Sequence, residues 1–235
     1  MGTAEENRHC LQLLCDDSNI ISRPEVTKEI TKGVLRKKLS KMRHLVIKKG
    51  IQSNYLDLLF PKILDLFDPQ IVDYNGGVAN VKRWKISCYL EVMEGGIPCT
   101  NPNLALLSVC SPLLDTCNHL FKLWYKQQHA CNGKKIDGIK VERIMTFITR
   151  YTPQPGEEAL LKHVDGAGKV DGSVVVALPI DRWSGPEEEN SFEGHGGGLT
   201  IWDGKNENGR SKKIDYDTRS GDVTFLDRAV WHQGK

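Results

Sequence analysis

After Gly133 the chain is cut into short runs of β-branched and aromatic residues separated by glycine and charged turns, and this leaves little choice of fold. Ile139 to Tyr151 is the first run, followed by Gly172 to Leu178, Leu199 to Trp202 and Val223 to Leu226. Strands this short, at this spacing, build antiparallel sandwiches or jelly rolls; a parallel α/β sheet would need a helix between successive strands. Ser184 to Gly198, with Glu187-Glu188-Glu189 and Gly196-Gly197-Gly198, reads as a mobile loop.

The first half has a different grammar. Between Thr27 and Lys49, Leu35, Leu39, Met42 and Val46 fall on one helical stripe, and lysines and arginines occupy much of the rest. A solvated basic face accounts for that pattern, and a surface for an acidic partner is the alternative. Tyr55 to Phe67 is apolar and contains Pro61, while Val81 to Met93 fits helix or strand equally well. Asn103 to His129 is expected to be a buried helix, or two helices broken near Pro112. The expected class is therefore α+β: a mainly helical region, 1–132, packed on a β core, 133–235, with the two sharing one interior.

Composition narrows the function classes. With 39% hydrophobic and 26% charged residues, the 235-residue chain resembles an ordinary soluble domain. A formal charge of +2 is too mild to argue for nucleic acid and does not exclude it. No signal peptide opens the sequence and no apolar run reaches membrane-spanning length, so a soluble intracellular protein, cytoplasmic or nuclear, is expected. Seven cysteines, none in a C-x-x-C pair, point to reduced and mostly buried thiols; a structural zinc site or disulfide framework is not expected.

His163-Val164-Asp165 carries the chemistry. On an extended strand, residues two apart face the same side, so an imidazole and a carboxylate can reach one ion. A second histidine from a neighbouring strand would complete a 2-His-1-carboxylate facial triad, which leaves positions on iron(II) open for a chelating cosubstrate and dioxygen. His232 is the first candidate for that third ligand and His195, in a glycine-rich loop, the second. Taken singly, His163 would more often be a hydrogen-bonded strand residue, and Asp165 could simply open the turn at Gly166. His44, His119 and His129 lie in helical text and are expected to be structural or surface residues.

The flanking text adds weight. Arg150-Tyr151-Thr152-Pro153-Gln154-Pro155-Gly156 precedes Leu161-Lys162-His163-Val164-Asp165-Gly166; then come the apolar run Val174 to Leu178 and Gly197-Gly198-Leu199-Thr200-Ile201-Trp202. Ser220-Gly221-Asp222-Val223-Thr224-Phe225-Leu226 and Trp231-His232 close the series. In order and spacing, residues 139–235 resemble the iron(II)/2-oxoglutarate oxygenase superfamily, particularly its prolyl-4-hydroxylase-like branch. The resemblance implies a double-stranded β-helix with iron held by His163, Asp165 and His232, and with Tyr151 beside the 2-oxoglutarate. It also implies dioxygen as cosubstrate, with ascorbate as a further cofactor to test. Decarboxylation of 2-oxoglutarate to succinate would drive hydroxylation of a C–H bond, with a protein side chain as the expected target. An intact Asp165 favours hydroxylation or demethylation over halogenation.

One element of the family pattern is not found. Relatives carry a basic residue, usually arginine, about ten positions past the distal histidine, on a final strand where it pairs with the far carboxylate of 2-oxoglutarate. The sequence ends at Lys235, so that strand is expected to be missing through truncation. Arg228 and Lys235 are the nearby basic residues, and Ala177 stands where relatives often place a second tyrosine. Two further readings accompany the oxygenase: a catalytically impaired metal-binding or interaction module on the same fold, and a nucleic-acid-modifying oxygenase. The substrate, protein or small molecule, and the oligomeric state are not readable from these residues.

Overall fold

The computed structural model describes residues 20–21, 25–39, 42–68, 73–74, 77–78, 85–92, 102–130, 138–151, 161–165, 170–179 and 198–234. Three helices lead the architecture: α1 (Val26–Leu39), α2 (Ser53–Leu66) and α3 (Leu104–His129). The strands are β1 (His44–Ile47), β2 (Asp73–Tyr74), β3 (Gly77–Val78), β4 (Lys85–Val92), β5 (Met145–Tyr151), β6 (Gly172–Val176), β7 (Gly198–Lys205), β8 (Ser211–Asp217), β9 (Val223–Asp227) and β10 (Trp231–Gly234).

All pairings among the described residues are antiparallel. One sheet runs β1-β9-β6 and a second β10-β7-β8; β2-β3 and β4-β5 form separate pairs. Strands β1 and β4, from before residue 133, pair with β9 and β5 from after it, so helical and β regions are joined by hydrogen bonds as well as by packing.

All five residues of β9 are buried, because the strand is covered on both faces. Val223 and Phe225 belong to the main core, with Ile30, Leu56, Leu120 and Trp124 from the three helices, whereas Leu226 joins Leu199, Ile201 and Val230 of the second sheet. Burial on both faces is why Val223 to Leu226 reads as a continuous apolar run. Strand β8 was not evident in the sequence, since Lys212, Lys213, Asp215 and Asp217 look like a charged turn. Its inward residues, Ile214 and Tyr216, alternate with exposed charges as on a one-sided strand.

Two expectations about helices change. The basic helix expected from Thr27 to Lys49 ends at Leu39, and His44-Leu45-Val46-Ile47 pairs in full register with β9, from His44↔Leu226 to Ile47↔Val223. The buried stripe of α1 is Val26, Ile30 and Val34. Pairing with a buried strand outweighs an i, i+4 pattern built from few residues. Asn103 to His129 is one helix of 26 residues, and it continues through Pro112. The Asn103 side chain caps it by accepting from Leu106 N at 2.9 Å. By length and apolarity α3 could cross a membrane, contrary to the expectation that no segment could. Here it is a core helix, with Leu106, Cys110, Leu113, Cys117, Leu120 and Trp124 buried.

The sheets are tied at one edge by buried polar groups. His44 Nδ1 lies 2.7 Å from Asp203 Oδ2, and His44 Nε2 lies 2.7 Å from the Tyr216 hydroxyl. This links β1 of the first sheet to β7 and β8 of the second. His44, read as helical from sequence, is thus a buried strand residue with both ring nitrogens engaged.

Candidate metal centre

The connection from β9 to β10 sets the position of the distal histidine. Ala229 N and Val230 N both fold back onto Asp227, at 3.2 Å to its carboxylate and 2.9 Å to its carbonyl, and this tight turn carries the chain from the first sheet to the second. His232 is then the second residue of β10. It pairs with Ile201 of β7, which is fully buried, so the imidazole faces the interior and is itself 6% exposed.

His163 reaches the same place from the opposite edge of β10. His163 N donates to His232 O at 2.9 Å and His232 N to His163 O at 2.8 Å, an isolated antiparallel bridge. The expected strand is reduced to that one bridge, with Asp165 opening a tight turn, yet His163 and Asp165 still meet at one point. His163 Nε2 lies 3.6 Å and His232 Nε2 3.5 Å from Asp165 Oδ1. The three donor atoms fall within 4.8 Å of one another. Ligands about 2.1 Å from one octahedral ion sit about 3 Å apart, so a small contraction would complete the site.

The tautomers suit a metal. His163 Nδ1 is 2.8 Å from Leu161 O and His232 Nδ1 is 3.2 Å from Val230 O. A carbonyl only accepts, so each Nδ1 bears a proton and each Nε2, turned to the shared space, is the atom a metal would take as its ligand. For Asp165, burial works against ionisation. While the site holds no metal and the rings are protonated on Nε2, hydrogen bonds from His163 and His232, the charge of His232 and a hydrogen bond from Ser173 outweigh it, and the carboxyl is held well below its ordinary range. Two neutral imidazoles and one carboxylate form the donor set of a non-haem iron(II) site with open positions.

Against known proteins, the sequence matches no family model and no curated protein. The three-dimensional structure does find relatives. One is a prolyl hydroxylase from Trichoplax adhaerens in complex with a hypoxia inducible factor oxygen degradation domain peptide fragment. It is 16% identical, with a TM-score of 0.53 over 89% of this chain and 84% of that one. Another is the non-heme alpha ketoglutarate dependent epimerase SnoN from nogalamycin biosynthesis, 10% identical, with a TM-score of 0.50 over 88% of this chain and 76% of that one. The fold is the one these two proteins share.

Within this fold, Tyr151 ends β5 near enough to Asp165 to feel its charge. Burial first, and Asp165 second, push its hydroxyl up to about 12. The residue as a whole keeps 40% exposure, so the Asp165 contribution is the part that reports proximity to the triad. Of the two basic candidates, Arg228 is exposed in the β9–β10 turn, where its N–H donates to Asp171 O and its charge acts on Tyr125 of α3. Lys235 lies outside the described residues, as does His195, the second candidate for third ligand.

Ser173 is the residue that sequence reasoning missed. On β6 it alternates with Val174 and Val176, which pack on the core, so it faces the other way, toward Asp165. Period-two alternation in Gly172 to Val176 was the available signal, hidden because the run reads as uniformly apolar. Among the described residues, Cys88, Cys110 and Cys117 are buried. Burial pushes Cys110 and Cys117 up to about 12, which makes both poor nucleophiles.

Proposed function

We propose that this protein is an iron(II)- and 2-oxoglutarate-dependent dioxygenase that hydroxylates a C–H bond of a protein side chain. The convergence of His163 Nε2, Asp165 Oδ1 and His232 Nε2 carries the reading, and the commitment of both Nδ1 atoms to carbonyls, which turns each Nε2 toward the shared space, supports it. In this reading the two three-stranded sheets are the halves of a double-stranded β-helix, with the metal held between them at one end. The bound iron would supply the oxidising chemistry, coupled to conversion of 2-oxoglutarate to succinate.

The chain's own groups have definite tasks. The triad would occupy one face of the ion, leaving the opposite face for 2-oxoglutarate and dioxygen. A hydrogen bond from Ser173 to the Asp165 carboxylate would orient the ligand before metal arrives. Tyr151, protonated across the physiological range, offers a hydroxyl donor to a bound carboxylate. A protein substrate is favoured by the peptide complex of the T. adhaerens relative.

The test begins with anaerobic titration of iron(II) and 2-oxoglutarate. The chelate should give a weak visible charge-transfer band in the wild type and none in His163→Ala or Asp165→Ala. Succinate release under oxygen, with or without prime substrate, then separates an enzyme from a binding module. The second reading has its own motive: among the described residues, no basic side chain is placed at the triad to receive the distal carboxylate. Iron binding without 2-oxoglutarate turnover would favour it.

A further inference from the structure

The extended segment that carries His163 and Asp165 is held to the second sheet by a single bridge, His163↔His232, among the described residues. The strands that frame the site are each joined by four or more register pairs. Two main-chain hydrogen bonds are a modest anchor for a candidate metal ligand, and contacts on the outer face of the sheet add to it.

On β10 and β7 the inward residues are His232 and Ile201, while Trp231 and Trp202 form the adjacent register pair and point outward. Lys162 precedes His163, so it too faces outward, away from the ligand set. Its Nζ sits 4.5 Å from the centroid of Trp202 and 5.6 Å from that of Trp231. Both distances are within the range of a cation over an aromatic ring. Trp202 is on β7, two strands from Lys162, so the lysine stem crosses β10 before its ammonium meets the indole. Trp231, on the strand between, is 46% exposed.

We propose that Lys162, Trp202 and Trp231 form a clamp on the outer sheet face that positions His163 against His232 from behind. The inference rests on reading the triad as a metal site. Each clamp residue on the ligand-bearing segments is the immediate neighbour of a ligand: Lys162 of His163, and Trp231 of His232. Side chains alternate along extended strands, so the clamp closes on one face and the ligands meet on the other. Lys162, Trp202 and Trp231 are positioning residues: they act through the backbone of their neighbours and touch no reacting group. The arrangement also parks a cation on the far side of the sheet, where it does not oppose a divalent ion.

Cobalt(II) titration under nitrogen, followed by its ligand-field absorption, tests this. Lys162→Ala and Trp202→Leu should each weaken cobalt(II) binding about three- to ten-fold, and the double variant should be no worse than either alone. Lys162→Arg should restore wild-type affinity, because a guanidinium stacks on indole at least as well. Amide hydrogen exchange on the metal-free protein provides a second readout that does not depend on the metal. In Lys162→Ala, His163 N and His232 N should exchange faster while the amides of β9 keep their protection. Unchanged affinity and unchanged exchange in Lys162→Ala would overturn the clamp, as would failure of Lys162→Arg to rescue. If the wild type itself binds no cobalt(II), the metal reading falls, and the exchange result then decides the clamp by itself.

Discussion

Gly221 shows at the scale of one residue why Ser220-Gly221-Asp222 takes the form it does. Its φ is +85°, and a Cβ built there would lie 2.6 Å from Ile51 O. The same backbone donates to Ala177 O at 2.8 Å and accepts from Ile51 N at 3.0 Å, so it cannot move aside without losing both bonds. Gly221→Ala should therefore cost about 2–3 kcal/mol, read as a lowered urea midpoint with an unchanged slope. Asp222 beside it is 2% exposed and accepts from Lys49 N and Lys48 Nζ, each at 2.8 Å, and from Arg219 N at 3.0 Å. Replacing it with alanine should remove the acceptor of two backbone N–H groups and of the Lys48 ammonium and cost about 1–3 kcal/mol by the same measurement, with iron affinity little changed in the folded fraction.

Between elements, charge does the joining. Glu91 on β4 accepts from Arg143 at 2.6 and 2.9 Å and from Thr146 Oγ1 at 2.6 Å, and Arg143 also reaches Asp115 of α3 at 3.4 Å. The Arg143 hydrogen bond, against the opposing effect of burial, lowers the carboxyl of Glu91 below its ordinary value. A depressed folded value means stabilisation that is complete above the unfolded pKa, about 4.3, and is lost as pH falls through the folded one. Stability should accordingly drop below about pH 4.5, and Glu91→Gln should flatten that part of a urea-midpoint profile taken against pH. The prediction fails if the variant and wild type keep parallel profiles.

At the scale of the molecule, α3 holds the sheets together. Near its start, Asn103 N donates to Tyr89 O of β4 at 2.8 Å; toward its end, Trp124 stacks on Phe225 of β9 with centroids 5.6 Å apart. Trp124 is fully buried. Trp124→Ala should cost about 3–5 kcal/mol, more than either site above, because the cavity opens where helix and sheet meet. Thermal unfolding should show it, and should also show iron(II) or cobalt(II) raising the midpoint of the wild type but not of His232→Ala. Binding to the native state alone stabilises it by mass action.

The residues themselves determined the β-rich second half and the short antiparallel strands, because strand periodicity is local, and they singled out His163 and Asp165 as a candidate ligand pair. They also determined the choice of His232, through the order of the blocks around it. Only the tertiary structure decided that His44 to Ile47 is a strand, since its stability comes from β9, more than 170 positions away, and not from its own pattern. It alone revealed β8, whose alternation is masked by charges. It alone placed Ser173 at the Asp165 carboxylate and Lys162 across the outer face. Those contacts join residues with no fixed sequence spacing, and distance in space, set by packing, is what a linear pattern does not contain.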